Sequence, residues 1–476
     1  MSKNKTLEAL NEEQKKELKD VIEKVFEQAL LEKGESRHIL EKIIEDKAEF
    51  LKMFNPWQNK VGKKLIQKFV NTINNLDSNK EFSWLDILDD DKQWKKTWEK
   101  PNEEEKIKNK VKDKSKHVNM RYQIPTHFHG DIDNAVLFHC MENPRGYLGS
   151  YGDNQIDGGL RETDLNGYYD KTYKLLTEDN SKRKTIKKIK SVLKNSSKSK
   201  PIQEIIQERY QLDENTNKDI SKDQIEKIIY SNHESALGRE IEHMYKIDET
   251  KEFCNFDFEN KGELSKTVLL KDYYYLKEYY SQLIQTNQKL NFKKLKNVKS
   301  KVTNIANKIC NLEIYPFSCA APDLGDEGVG EKIILHSCLS RLGTYIILRR
   351  IYMFLNKEDH TEKPIFVFRK YDKAWKKLFK NMFSEVNIEG FNTEEVMKLL
   401  EENFFYCQLR PMGGGITSGN VISVSDYKEY LKLKKDSTLT KLELNEIYLK
   451  MKDNAFKEIS SILPRIEVDK KQKNRC

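Results

Sequence analysis

In the stretch AVLFHCMENPRGY, residues 135–147, an apolar run ends in a carboxylate, an amide, a proline, a guanidinium and a glycine. Apolar runs of this length bounded by turn residues form strands covered on both faces, and open α/β sheets bind ligands just beyond the carboxyl ends of such strands. The groups of this turn can do chemistry there. Glu142 can carry a proton or stabilise a developing cation, Asn143 can orient a water without deprotonating it, and Arg145 suits a phosphate. A sharp strand-to-helix connection accounts for the same residues, with Pro144 and Gly146 serving only the backbone and Glu142 a surface carboxylate.

A second segment of interest is RPMGGGITSGNV, residues 410–421. Its glycines, including Gly414 and Gly415, remove side-chain clashes, and Thr417, Ser418 and Asn420 add hydroxyl and amide groups that can meet a nucleic-acid backbone. Two lysine-rich clusters point to the same partner: residues 181–200 hold nine Lys or Arg and no acid, and residues 287–301 hold six and no acid. The first contains Lys182, Arg183, Lys184, Lys187 and Lys188. Each contact with a phosphate releases a counterion, so clusters this pure suit a polyphosphate, although a solvated lysine-rich surface has the same composition. His127 and His129 would project to one side of an extended segment, but no carboxylate or thiol cluster accompanies them, and no metal site or cofactor is expected.

The elements that must position these groups follow from hydrophobic periodicity. Residues 1–120 read as a helical N-terminal domain: Leu10, Leu18, Val21, Ile22, Val25, Phe26 and Leu30 recur with a period near that of the α-helix, and Pro56 breaks one helix before the next begins. Four strand candidates follow at 135–141, 309–315, 364–368 and 403–409, with helical patterns between the later ones. Strands alternating with helices imply a parallel sheet with right-handed crossovers. The first crossover is too long for one helix, so residues 161–304 read as a basic, largely helical insertion into an α/β domain formed by 121–160 and 305–435, with a helical tail at 436–476. Within the insertion, Tyr273, Tyr274, Tyr275, Tyr279 and Tyr280 suit either base stacking or a core. The fold class is α/β: a three-layer α/β/α domain on a four-stranded parallel sheet, plus the N-terminal helices and the insertion.

The 476-residue chain, 37% apolar with 21 Phe and 22 Tyr, can build a sizeable core, and its net charge of +9 is modest for its size. No run is long enough to span a membrane, and the first twenty residues lack the apolar stretch of a signal peptide, which implies a cytoplasmic protein without a membrane partner. The seven cysteines are scattered without a CxxC pair and read as reduced.

Taken in order, four segments resemble the uracil-DNA glycosylase superfamily, especially divergent bacterial members with anti-phage activity. IPTHFHGDIDNAVLFHCMENPRGY resembles the family's lead-in, first strand and Asn-Pro-Gly-like turn; LEIYPFS, KPIFVFRKYDKAW and FFYCQLRPMGGGITSGNV resemble the second, third and last strands with their turns. The likeness covers residues 122–160 and 305–430. It implies a DNA glycosylase that flips a base and hydrolyses its N-glycosidic bond, with Asn143 holding the attacking water and Glu142 assisting. Arg145, Tyr147, Phe317 and Ser318 would contact base or sugar, and Gly414, Gly415, Thr417, Ser418 and Asn420 the DNA. Departures from the family pattern, namely the intrusion of Arg145, YPFSC where a pyrimidine-reading Asn is expected, and no His-Pro-Ser-Pro, argue against plain uracil and for a modified base, such as those of phage DNA. HSCLS at His336 imitates the missing motif but falls in a helical pattern. The same departures fit a rival, a catalytically inactive sensor that keeps the fold and binds DNA or a nucleotide. Protein partners are not indicated.

Overall fold

The computed structural model describes residues 10–75, 84, 124–143, 219–230, 234–246, 252–254, 267–269, 275–284, 299–317, 324, 329–356, 362–386, 392–410, 414–435 and 438–464. Four helices come first: α1 (Glu12–Glu32), α2 (Leu40–Glu45), α3 (Lys47–Phe54) and α4 (Lys60–Asn74). Helix α1 starts where Asn11 and Gln14 cap each other reciprocally, and it buries Leu18, Val21, Ile22, Val25, Phe26 and Leu30, the residues its periodicity predicts.

The strands are β1 (Phe128–His129), β2 (Leu137–Met141), β3 (Glu252–Cys254), β4 (Thr267–Leu269), β5 (Ile309–Glu313), β6 (Ile365–Phe368), β7 (Phe405–Gln408) and β8 (Val421–Ser423). Six of them form one sheet in the order β1-β5-β2-β6-β7-β8. β2 pairs in parallel with β5 and β6, and β6 with β7, whereas β1 and β8 pair antiparallel at the two edges. The sheet is therefore six-stranded and mixed, which corrects the expectation of a four-stranded parallel sheet. Its two extra strands are two and three residues long, too short to carry a period-two signal. β3 and β4 make a separate parallel pair inside the interval that reads as helical.

The helices that follow the first four are α5 (Lys222–Tyr230), α6 (Ala236–Lys246), α7 (Lys299–Asn307), α8 (Val329–His336), α9 (Cys338–Asn356), α10 (Lys376–Ser384), α11 (Thr393–Asn403), α12 (Val424–Leu433) and α13 (Lys441–Ser461). Successive side chains of the central strands sort into two apolar clusters, as a strand covered on both faces requires. Phe138, Cys140, Leu312, Phe366 and Phe405 join one cluster with α1, α3, α9, α10 and α11; Leu137, Met141, Ile309, Val367 and Tyr406 join the other with α6, α7, α13 and the aromatic segment 275–284.

The N-terminal helices share the first cluster. Phe26 and Phe54 pack on Tyr345 of α9 with ring centroids 5.7 and 4.5 Å away, contacts worth about 0.5–1.5 kcal/mol each beyond the area they bury. Two fully buried arginines of α9 tie neighbouring elements to it: Arg349 Nε donates to the Ile44 carbonyl of α2 at 2.6 Å, and Arg350 Nε to the Ala135 carbonyl, just before β2, at 3.2 Å. The tail returns to the sheet, since Ala455, Ile459 and Leu463 lie in the second cluster. Among the described residues no helix is long and apolar enough to cross a membrane.

Candidate active site

The chain runs from β2 to β5 on one side, then crosses to β6 on the other, so connections diverge beyond the carboxyl ends of β2 and β6. Such a switch point is where open α/β sheets form a ligand crevice. The residues delivered there are Glu142 just after β2, Glu313 at the end of β5, and Arg369 just after β6. Backbone bonds extend the ladder past the strands: Ile314 N donates to the Met141 carbonyl at 3.2 Å, Tyr315 N to the Glu142 carbonyl at 3.0 Å, and Arg369 N to the Cys140 carbonyl at 2.8 Å. Lys370 follows with φ of 54°, and this left-handed residue turns the chain sharply enough to leave Arg369 facing back over β2.

Arg369 and Glu142 form a buried ion pair. Nη2 donates to Glu142 Oε1 at 3.1 Å, and Nε lies 2.9 Å from Oε2 without the alignment of a hydrogen bond. The remaining guanidinium nitrogen, Nη1, donates to the Tyr279 hydroxyl. Glu313 is only 1% exposed, and its Oε2 has no hydrogen-bond partner. Burial pushes its carboxyl well above the usual range, the neighbouring Glu142 pushes it further, and Arg369 opposes them. One carboxylate is thus paired with a cation while burial favours the protonated form of the other, the arrangement by which acid and base roles are divided between two like groups.

Behind the pair runs a fully buried polar chain. Asn311 Nδ2 donates to the Tyr280 hydroxyl oxygen at 2.7 Å, the Tyr280 hydroxyl donates to His139 Nδ1 at 3.0 Å, and His139 Nε2 donates to Gln408 Oε1 at 2.9 Å. Burial pushes the imidazole down to about 3, so His139 stays neutral with its proton on Nε2, the only tautomer these partners allow. Gln408 then donates to the Gly414 carbonyl. The glycine loop also sits directly on the aromatic segment: Ile416 N donates to the Tyr279 carbonyl at 2.8 Å and Ser418 N to Gln282 Oε1 at 3.0 Å. A Cβ on Gly415 would stand 2.0 Å from the Glu278 carbonyl oxygen. The close approach that demands glycine is to the protein's own backbone.

No family model matches the chain, and neither a curated protein nor a solved structure matches it.

Of the residues singled out by sequence, Glu142 and Asn143 lie buried side by side at the end of β2. Gly414, Gly415, Thr417, Ser418 and Asn420 lie in the loop tied to the same aromatic segment, with Ser418 exposed and Asn420 buried. Asn420 holds the loop together, donating to the Gly415 carbonyl at 2.8 Å and accepting from Arg410 N at 2.8 Å. Phe317 is in the apolar core against Trp57 and Tyr315. Arg145, Tyr147, Ser318, Lys182, Arg183, Lys184, Lys187 and Lys188 lie outside the described residues. His127 meets the Leu339 carbonyl at 2.5 Å and burial pushes it down to about 4; His129 accepts from Arg239 Nη2 at 3.0 Å, so the two engage different helices. Among the described residues no group of three His, Cys, Asp or Glu could hold a metal. Sequence reasoning missed Glu313, Arg369, His139 and Gln408, and it weighed Tyr279 only as a stacking or core residue. A large groove of about 550 Å³, lined by residues including Glu23, His38 and Tyr352, lies on α1, α2 and α9. It contains none of the groups at the strand ends, and the switch-point cluster has the stronger claim because its charges are buried and paired.

Proposed function

We propose that the chain is a DNA glycosylase-like hydrolase that cleaves the N-glycosidic bond of a flipped, modified base, acting on phage DNA in the cytoplasm as an antiviral defence. The observation that carries this reading is the buried Glu142–Arg369 pair at the switch point, with Asn143 beside it and, on the adjacent strand, the buried Glu313, whose Oε2 has no hydrogen-bond partner. Loss of a base builds positive charge on the sugar, and a water must then be aimed at it. Glu142 supplies a carboxylate for that charge, and Asn143 an amide that orients the water. A static, water-excluded carboxylate acts strongly on a developing cation.

With this reading goes the finer architecture of a three-layer α/β/α body, the mixed six-stranded sheet forming its middle layer around a parallel centre. It is supported by the parallel pairing of β5, β2, β6 and β7 and by the sorting of their side chains into two clusters. The DNA partner is supported by the two acid-free lysine clusters. Base flipping delivers the nucleotide from its stack, so the reading requires no cofactor.

A second reading, a DNA- or nucleotide-binding sensor without turnover, is favoured by one observation: Arg369 already satisfies Glu142 and Tyr279, and all three are buried. The deciding experiment incubates the protein with genomic DNAs of diverse base modification and labels abasic sites with an aldehyde-reactive probe. Abasic sites that accumulate with time, and disappear with Glu142→Gln, support the hydrolase. Binding to those DNAs without a single abasic site supports the sensor.

A further inference from the structure

We propose that Glu313 is the general acid of this site, donating the proton on its carboxyl to the departing base while Glu142 takes the proton of the attacking water. This rests on the glycosylase reading and goes beyond it by dividing the labour between two carboxyls.

Glu313 and Met141 are paired across the parallel ladder, and Glu142 is the next residue of that strand, so the two carboxyls stand at adjacent strand ends. They differ in what faces them. Glu142 has the Arg369 guanidinium, whereas Glu313 Oε2 is buried with no hydrogen-bond partner. By strand alternation Glu313 lies on the same face as Asn311 and Ile309, the face covered by the aromatic segment. The titratable and charged groups around it are Cys140 and Glu142 of β2 and its turn, Arg369 after β6, and Tyr275 of the segment, with Arg239 and Glu240 of α6 beyond that ring. Among the described residues Arg369 is the one cation that acts on it, and that cation is committed to Glu142. A carboxyl so placed keeps its proton at neutral pH, which is what a proton donor to a poor leaving group needs.

The step balances. The bond between C1′ and the base nitrogen breaks and its electron pair leaves with the base, which takes the Glu313 proton. Water forms the new C1′–O bond and loses a proton to Glu142. The products are the free base and an abasic sugar, and passage of one proton from Glu142 to Glu313 restores the starting state.

The test uses the full chain and duplex oligonucleotides carrying a single 5-hydroxymethylcytosine or a single 5-formyluracil. The cytosine ring leaves poorly without protonation, whereas the formyluracil ring leaves as a stabilised anion. Expected for Glu313→Gln is a fall in kcat of about 10²- to 10⁴-fold on the cytosine substrate, with KM little changed and a much smaller fall on the uracil substrate. Should that variant misfold, the wild type decides: general acid catalysis makes its rates on the two bases similar and gives its pH profile an alkaline limb. Wild-type release with Glu313→Gln within about threefold, or an equal loss on both bases, overturns the role of Glu313 alone. No release from either duplex by the wild type, nor from the genomic DNAs above, overturns the glycosylase reading and this role with it.

Discussion

Replacing Arg369 with Gln removes the cation from a site where water cannot take its place. The guanidinium contacts Glu142 at 2.9 and 3.1 Å, with the side chains 7% and 8% exposed. At about 3 Å and an effective dielectric near 20, the attraction between unit charges is roughly 5 kcal/mol, and stripping one partner from a buried pair commonly costs about 3–5 kcal/mol. The variant also removes the bond from Arg369 Nη1 to the Tyr279 hydroxyl. The expected loss is therefore about 4 kcal/mol, read as a shift in urea midpoint at pH 7 with unchanged m. Glu142→Gln alone strands the guanidinium and costs a similar amount. The double variant puts two neutral amides at bonding distance and is expected to lose less than about 2 kcal/mol, so the cycle yields a coupling of several kcal/mol. Single variants costing under about 1 kcal/mol each, or costs that simply add, would refute the idea that these charges form one buried unit.

Other outcomes follow from the same geometry. Gly415→Ala forces a Cβ against the Glu278 carbonyl, so the loop must leave the aromatic segment; the expected result is a loss of about 2 kcal/mol or more and faster amide exchange at Ile416 and Ser418. Glu313→Gln should be more stable than the wild type at pH 7 and equal to it near pH 4. The folded carboxyl binds its proton more tightly than the unfolded one, so wild-type stability is full below the ordinary carboxylate range and falls by up to about 1.4 kcal/mol per pH unit until the raised value is reached. Asn143→Ala should leave DNA affinity nearly unchanged and lower base release about 10²-fold or more, measured in single turnover. Substituting Gln for Lys182, Arg183, Lys184, Lys187 and Lys188 should flatten the salt dependence of DNA binding by about one unit of slope per lost phosphate contact; an unchanged slope would make the cluster a solvated surface.

The central strands were legible because each is a short apolar run, and the observed bounds of β2, β5, β6 and β7 fall inside the sequence candidates. The edge strands were not, being too short for a pattern. The reasoning that selected Glu142, an ionisable residue at the end of an apolar strand, applies equally to Arg369 in VFRKY and to Glu313 in CNLEIYP. Each looks like an ordinary strand terminus by itself, and only the strand order makes them neighbours. The polar chain through His139 was harder still. Its partners Tyr280 and Gln408 are 141 and 269 residues away, and in sequence His139 is one imidazole in an apolar run. The glycine loop shows the limit differently. Consecutive glycines announce that something comes close, without saying whether it is a ligand or, as here, the carbonyl of Glu278.

That contact changes what the insertion does for the site. Its aromatic segment supplies the Tyr279 hydroxyl to Arg369, the Tyr279 carbonyl to Ile416 N and the Tyr280 hydroxyl to His139, so three consecutive positioning contacts come from two adjacent residues. Glu240 of α6 fixes the start of the segment, accepting from Tyr275 N at 3.0 Å and Leu276 N at 2.7 Å. Tyr279 and Tyr280 are therefore spent on holding the strand ends and the glycine loop in register, and Tyr280, fully buried, has no face left for a base; Tyr273 and Tyr274 lie outside the described residues. Glu142 is positioned twice over, from below by the β-ladder that carries it and from above by the guanidinium that the insertion steadies. Preorganisation of this kind costs folding energy in buried charge and returns it only if something reacts there.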